Sequence, residues 1–167
     1  MTDLLDVEPQ TEKIKTGVIK VSPLAKALAE CLADTYRLVF KTHAYHWNVE
    51  GPLFYPLHKL TEAQYEDMFA AADAIAERIR ALGHLAPAQL SDVIEASVVK
   101  DAGELPGAIA MVDDLRADHE RIAKRMHELI ALADASKDPV TADLITARSA
   151  FHEQAAWMLR STAKQAA

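Results

Sequence analysis

Four long helix-periodic stretches, each cut off by a helix breaker, dominate this sequence. The first starts at Ser22-Pro23 and runs to about Asn48, with Leu24, Leu28, Cys31, Leu32, Tyr36 and Val39 at helical spacing. Serine can accept from the orphan N–H groups of a first turn, and proline there has no N–H to waste. Gly51-Pro52 ends this run. The second extends from about Leu53 to Leu82, and Gly83 suits a left-handed stop. Pro56 falls in its first turns, so a distorted start is expected. The third spans about Leu105 to Ala133, and the fourth opens on Asp138-Pro139 and reaches about Ala163. Between the second and third, Pro87 introduces a short periodic piece with Leu90, Val93, Ile94 and Val98. The expected fold is all-α: a four-helix bundle with a short extra helix in the connection between helices two and three. That connection is long enough to cross the bundle, which favours an up-down-down-up order over up-down-up-down.

Composition agrees. Half of the 167 residues are apolar, and there are only five glycines. Alanine and leucine lose little on entering a helix, whereas glycine loses much. The length suits one domain. Residues 1–21 read as a flexible tail with little packing and residues 22–167 as the single bundle domain. The lone Cys31 excludes an internal disulfide and reads as a small buried hydrophobe. Met111, Met126 and Met158 read as core residues.

Charge narrows the function. The formal net charge is −7, so the basic footprint that neutralises phosphates is missing overall. The N-terminus is acidic rather than basic-then-apolar, and no apolar run approaches the roughly 20 residues of a membrane span. The expectation is a cytoplasmic protein with no membrane partner, nucleoid association remaining open.

Helix two carries the chemistry. His58 and Glu62 are four apart, as are Asp73 and Glu77, and all four fall within a stripe of about 100°. Ligand-type side chains on one stripe suggest a metal, although spacing alone also fits a solvated charged face. Glu62 and Asp73 are about 16 Å apart along the axis, at about 1.5 Å per residue. An ion needs its donors within about 2–2.5 Å. One copy of the helix therefore cannot bring both pairs to one ion, but two antiparallel copies can. About a two-fold axis near Asp67 and Met68, the His58/Glu62 pair of one copy meets the Asp73/Glu77 pair of the other. His43 and His46 lie at the end of helix one, with Trp47 next to them. The short connection brings His46 towards His58. Imidazole with carboxylate suits iron and related first-row metals. The Glu-x-x-His signature of a site inside one bundle is absent from the sequence.

The segment Tyr45-His-Trp-Asn-Val-Glu-Gly-Pro-Leu-Phe-Tyr-Pro-Leu-His58, followed by Asp73-Ala-Ile-Ala-Glu77-Arg-Ile-Arg-Ala-Leu-Gly83, closely resembles the Dps family, the ferritin-like mini-ferritins of starved or oxidatively stressed bacteria. The likeness runs from about Ser22 to Ala163. It implies a ferroxidase that oxidises Fe(II), with hydrogen peroxide or oxygen, and stores ferric mineral in a hollow homododecamer built from two-fold dimers. It also implies two irons per intersubunit site: Asp73 and Glu77 with the partner's His46 as the tighter position, and His58 with Glu62 as the weaker. The family usually has aspartate where Glu62 stands, so direct ligation by Glu62 stays open. Trp47 resembles a tryptophan proposed to pass or absorb electrons. Asp134, Asp138 and Asp143 resemble acidic residues of the family's three-fold pores, where a negative field draws in cations. Asp143 matches best, and Asp138 serves equally well as a helix N-cap. The alternative is a DNA-compacting nucleoid protein, a role that other members owe to Lys-rich tails. Here Lys13, Lys15 and Lys20 face Asp3, Asp6, Glu8 and Glu12, so DNA binding is expected to be weak.

Overall fold

The computed structural model describes residues 7–164. Its helices are α1 (Val21–Asn48), α2 (Phe54–Ala81), α3 (Leu90–Ala96), α4 (Ala108–Ala135) and α5 (Pro139–Thr162). Among the described residues there is no strand. The four long helices form the bundle, and the short α3 lies in the middle connection and packs on α1. Cross-helix pairs fix the directions. Lys41 meets Asp118 and Asp34 meets Arg125, so α1 and α4 run antiparallel. Arg78 meets Asp138 and Asp67 meets Arg148, so α2 and α5 do as well. The order is up-down-down-up, the one that the long crossing connection favours.

The core is aliphatic and drawn from all four long helices. Leu24, Leu28 and Leu38 of α1, Met68, Ile75 and Ile79 of α2, Leu115, Ile122 and Met126 of α4, and Ile145 and Leu159 of α5 are fully buried. Burying each such side chain is worth about 1.5–3 kcal/mol, which makes this periodic stripe the main source of stability. Cys31 is buried among them, and that burial, ahead of the nearby Asp34, pushes its thiol up to about 12. It is inert as a nucleophile. Met158, expected in the core, is exposed on α5.

Two helix starts differ from expectation. α1 begins at Val21, and its N-cap is Lys20 in the left-handed region (φ 53°, ψ 39°), not Ser22. The preceding Ile19 N–H donates to Ser136 O at 2.9 Å, so the chain enters the helix already anchored. α2 begins at Phe54 without a break, and Leu57 N–H donates to Leu53 O at 3.0 Å. Pro56 is the third helical residue, where its missing N–H would have been an orphan anyway. At the end of α2, Gly83 adopts φ +80° as expected.

The stretch before α1 also packs, although little packing was expected for the first twenty residues. Glu12 N–H donates to Gly83 O at 2.8 Å, and Ile14 and Val18 lie against the core.

Candidate metal centre

The turn between α1 and α2 builds the histidine half of the site. Gly51 at φ +92° lets the chain reverse within a few residues, and Phe54 N–H closes the turn onto Gly51 O at 3.0 Å. His46, in the last turn of α1, then faces His58, in the first turns of α2. Their rings stack with centroids 3.7 Å apart. His46 Nδ1 lies 2.8 Å from His58 O, and His58 Nδ1 lies 3.0 Å from His46 O. A carbonyl can only accept, so each Nδ1 carries a proton, and in the neutral ring Nε2 keeps the lone pair. Two imidazoles are thereby fixed in the tautomer that binds a metal through Nε2.

Aromatic neighbours hold this pair. Phe54 stacks on His58 at 5.1 Å, and Tyr65 meets His46 edge-on at 5.3 Å. His43 stacks between Tyr65 (4.1 Å) and Trp47 (4.0 Å). Tyr65 escaped the sequence reading. Its position seven after His58 and three after Glu62 on one helical face was the available signal. Burial, then Glu62 and Glu66, hold its phenol above the usual range. Trp47 itself is exposed.

Glu62 stands half-exposed, with its carboxylate 2.6 Å from Lys59 Nζ. That hydrogen bond holds it below the usual carboxylate range. Lys59 engages only the Oε2 oxygen of Glu62. Asp73 and Glu77 are both exposed farther along α2 and, among the described residues, form no ion pair. Among the described residues of one chain, no three His, Cys, Asp or Glu side chains converge on a point that could hold an ion. The two halves remain apart along α2.

The acidic residues near the α4–α5 turn divide. Asp134 and Asp143 are exposed. Asp138 is 1% exposed and caps α5, accepting from Thr141 N at 3.0 Å. It also accepts from Arg78 Nη2 at 2.7 and 2.8 Å. Burial alone would raise this carboxyl, but Arg78 and Thr141 outweigh it and hold it low. Its N-cap reading holds, and in the single chain its carboxylate is buried under Arg78.

A bundle of this order, with paired histidines at one end of α2 and paired carboxylates at the other, has the architecture of a ferritin-like protein. Residues 25–167 match the family model described as a ferritin-like domain. An uncharacterised low-temperature-induced protein of Nostoc sp. is 39% identical over 153 residues, covering 90% of this chain and 82% of that protein. DNA protection during starvation protein 2 of Bacillus anthracis is 33% identical, covering 84% of this chain and 96% of that protein. The crystal structure of Dps from Staphylococcus aureus superposes with a TM-score of 0.85 at 29% identity, covering 89% of this chain and 99% of that one. The chain belongs to the Dps family of ferritin-like proteins.

Proposed function

We propose that this protein is a ferroxidase and iron store whose reaction sites form between two copies of α2. Fe(II) is the substrate. His46 and His58 offer Nε2 lone pairs from one subunit, and the partner's Asp73 and Glu77 offer carboxylates, with Glu62 able to join. Imidazole and carboxylate together suit Fe(II), and the carboxylates favour the more highly charged ferric product. Two Fe(II) ions supply the two electrons that reduce one peroxide to water. Ferric product then collects as mineral inside a shell, a homododecamer of two-fold dimers. Consuming Fe(II) and oxidant together protects the cell from oxidative damage.

The observation that carries this reading is the mutual hydrogen bonding of His46 and His58, which prepares two ligands on a surface too far from Asp73 and Glu77 to use them. The face that would meet a second copy supports it. Tyr36, Phe40, Trp47 and Phe69 are exposed along α1 and α2. Tyr36, Phe40 and Phe69 line a groove of about 390 Å³ together with Val93 and Ile94. Apolar surface gathered on one face marks an interaction site.

DNA compaction gains little support. Lys13 and Lys15 flank Ile14, which lies against the core, so they sit on a segment tied to the bundle rather than on a free arm. No described helix is long and apolar enough to cross a membrane.

The test is the Asp73→Ala/Glu77→Ala double variant. Fast Fe(II) oxidation is expected to disappear while native mass and helix content stay those of the parent. Parental rates in the double variant would refute the shared site.

A further inference from the structure

Lys59 is a cation within the α2 half-site that no ligand role uses. It follows His58 directly and precedes Glu62 by three residues, so its ammonium and the Glu62 carboxylate meet on the helix surface. Lys59 Nζ lies 2.6 Å from Glu62 Oε2. Among the described residues, Lys59 has no other ion-pair partner. Its side chain is 53% exposed and that of Glu62 33%, on the face that a second copy of α2 would cover. A metal on the remaining Glu62 oxygen would therefore sit beside a fixed positive charge.

The weight of that charge rests on the proposed site between two copies of α2. About the two-fold axis near Asp67 and Met68, His58 faces the partner's Glu77 and Glu62 faces the partner's Asp73. Lys59 then faces the partner's Ala76, with the partner's Asp73 and the partner's Glu77 on either side of it. Alanine brings no charge, so the ammonium is left among three carboxylates. Three negative charges against one positive leave two in excess, and one divalent ion balances them. His46 and His58 are neutral when they offer Nε2 and do not change the count. A second divalent ion finds no net negative charge left, and an ammonium beside the carboxylate that it needs. At about 6 Å, repulsion between one ammonium and one divalent ion lowers affinity about tenfold even in a water-like medium.

We propose that Lys59 fixes the order and strength of metal loading at the shared site: it is a built-in counter-cation that leaves one divalent ion at full affinity and holds the second, at Glu62, weak. The charge carries the effect rather than the side-chain stem. Arginine in its place keeps the effect, and methionine, which retains most of the apolar stem, removes it. Because the repulsion acts across a partly solvated surface, salt screens it, and the two affinities draw together as ionic strength rises.

The test is calorimetric titration of the full-length assembly with Zn(II), which takes imidazole and carboxylate donors and is not oxidised. Wild type is expected to bind one ion per shared site tightly and a second at least about tenfold more weakly. Lys59→Met should tighten the second ion about tenfold and the first by no more than about threefold, while Lys59→Arg behaves as wild type. Lys59 is exposed, so both variants should fold, which helix content and native mass check. Second-ion affinity unchanged in Lys59→Met, or raised as much by Lys59→Arg, overturns the role of Lys59 and leaves the shared site standing. The Asp73→Ala/Glu77→Ala variant tests the site itself. Loss of the tight ion there supports it, and retention of both ions removes the shared site and the role of Lys59 with it.

Discussion

His46 and His58 each donate Nδ1–H to the other's backbone carbonyl, at 2.8 and 3.0 Å. Neither ring can rotate without orphaning a carbonyl and a donor, so the last turn of α1 and the first turns of α2 are locked as one ligand platform. Replacing His58 by Gln keeps a possible donor to His46 O but removes one Nε2 lone pair and the ring stacked on His46. Losses of this kind cost about 10- to 100-fold in metal affinity. Fe(II) oxidation at limiting iron should slow by a similar factor, with assembly unchanged by native mass measurement. A variant as fast as the parent at low iron would show that this platform does not hold the substrate.

How much of this was readable in advance differs from feature to feature. Helix number, order and the short α3 followed from periodicity and breakers, because an apolar stripe must be buried whatever it meets. The start of α1 did not, because Lys20 and Ile19 take their conformation from Ser136, more than a hundred residues later in the chain. The ligand types on α2 were visible as spacing, but the tautomers of His46 and His58 depend on a contact between helices that no local pattern encodes. Asp138 shows the opposite problem. Its cap role is local and was seen, but its burial under Arg78 comes from α2 and no local pattern encodes it.

Gly83 joins the end of α2 to the N-terminal segment. It holds φ +80°, and a Cβ there would lie 2.1 Å from Glu12 O. Gly83→Ala therefore meets both backbone strain and a collision with a main-chain oxygen that cannot give way cheaply. The expected loss is about 1–3 kcal/mol, seen as a lower thermal midpoint. Residues 12–19 should become open to proteases in the variant, because the Glu12–Gly83 bond cannot form. Unchanged protease resistance would mean that the segment is held by Ile14 and Val18 alone.

Acid should weaken the fold through the interior histidines. Burial, followed by Arg148, holds His119 at about 3, and burial, His119 and Arg148 hold His152 well below its usual range. Above about pH 6.5 both residues are neutral whether folded or unfolded, and their contribution is constant. As pH falls through 6.5, the unfolded chain takes up protons that the folded chain refuses, and stability is lost until the folded groups titrate too. Each histidine contributes a slope of about 1.4 kcal/mol per pH unit in that window. Urea unfolding in chelator at pH 7, 6 and 5 should show the midpoint falling. A His119→Gln/His152→Gln variant should have a shallower dependence, and equal slopes in the two proteins would rule the pair out as the cause.

Asp138 and Asp143 lie five residues apart and should respond to substitution in opposite ways. Asp138→Ala removes the cap of α5 and both bonds to Arg78, leaving a largely buried guanidinium without its carboxylate. Breaking a buried pair from one side costs about 3–5 kcal/mol, and the part-exposure of Arg78 reduces that to about 2–4 kcal/mol. Because Arg78 and Thr141 hold the Asp138 carboxyl low, its contribution is complete above the ordinary aspartate range. It fades as pH falls through the lowered value, so wild type and variant should converge in strong acid. Asp143 is exposed, and Asp143→Asn should leave the midpoint within about 0.5 kcal/mol of the parent. If Asp143 lines an entry pore, the same change weakens the field that draws cations inward. Iron uptake into the shell should then slow a few-fold, most clearly at low ionic strength. Uptake unaffected at every salt concentration would remove Asp143 from the entry path.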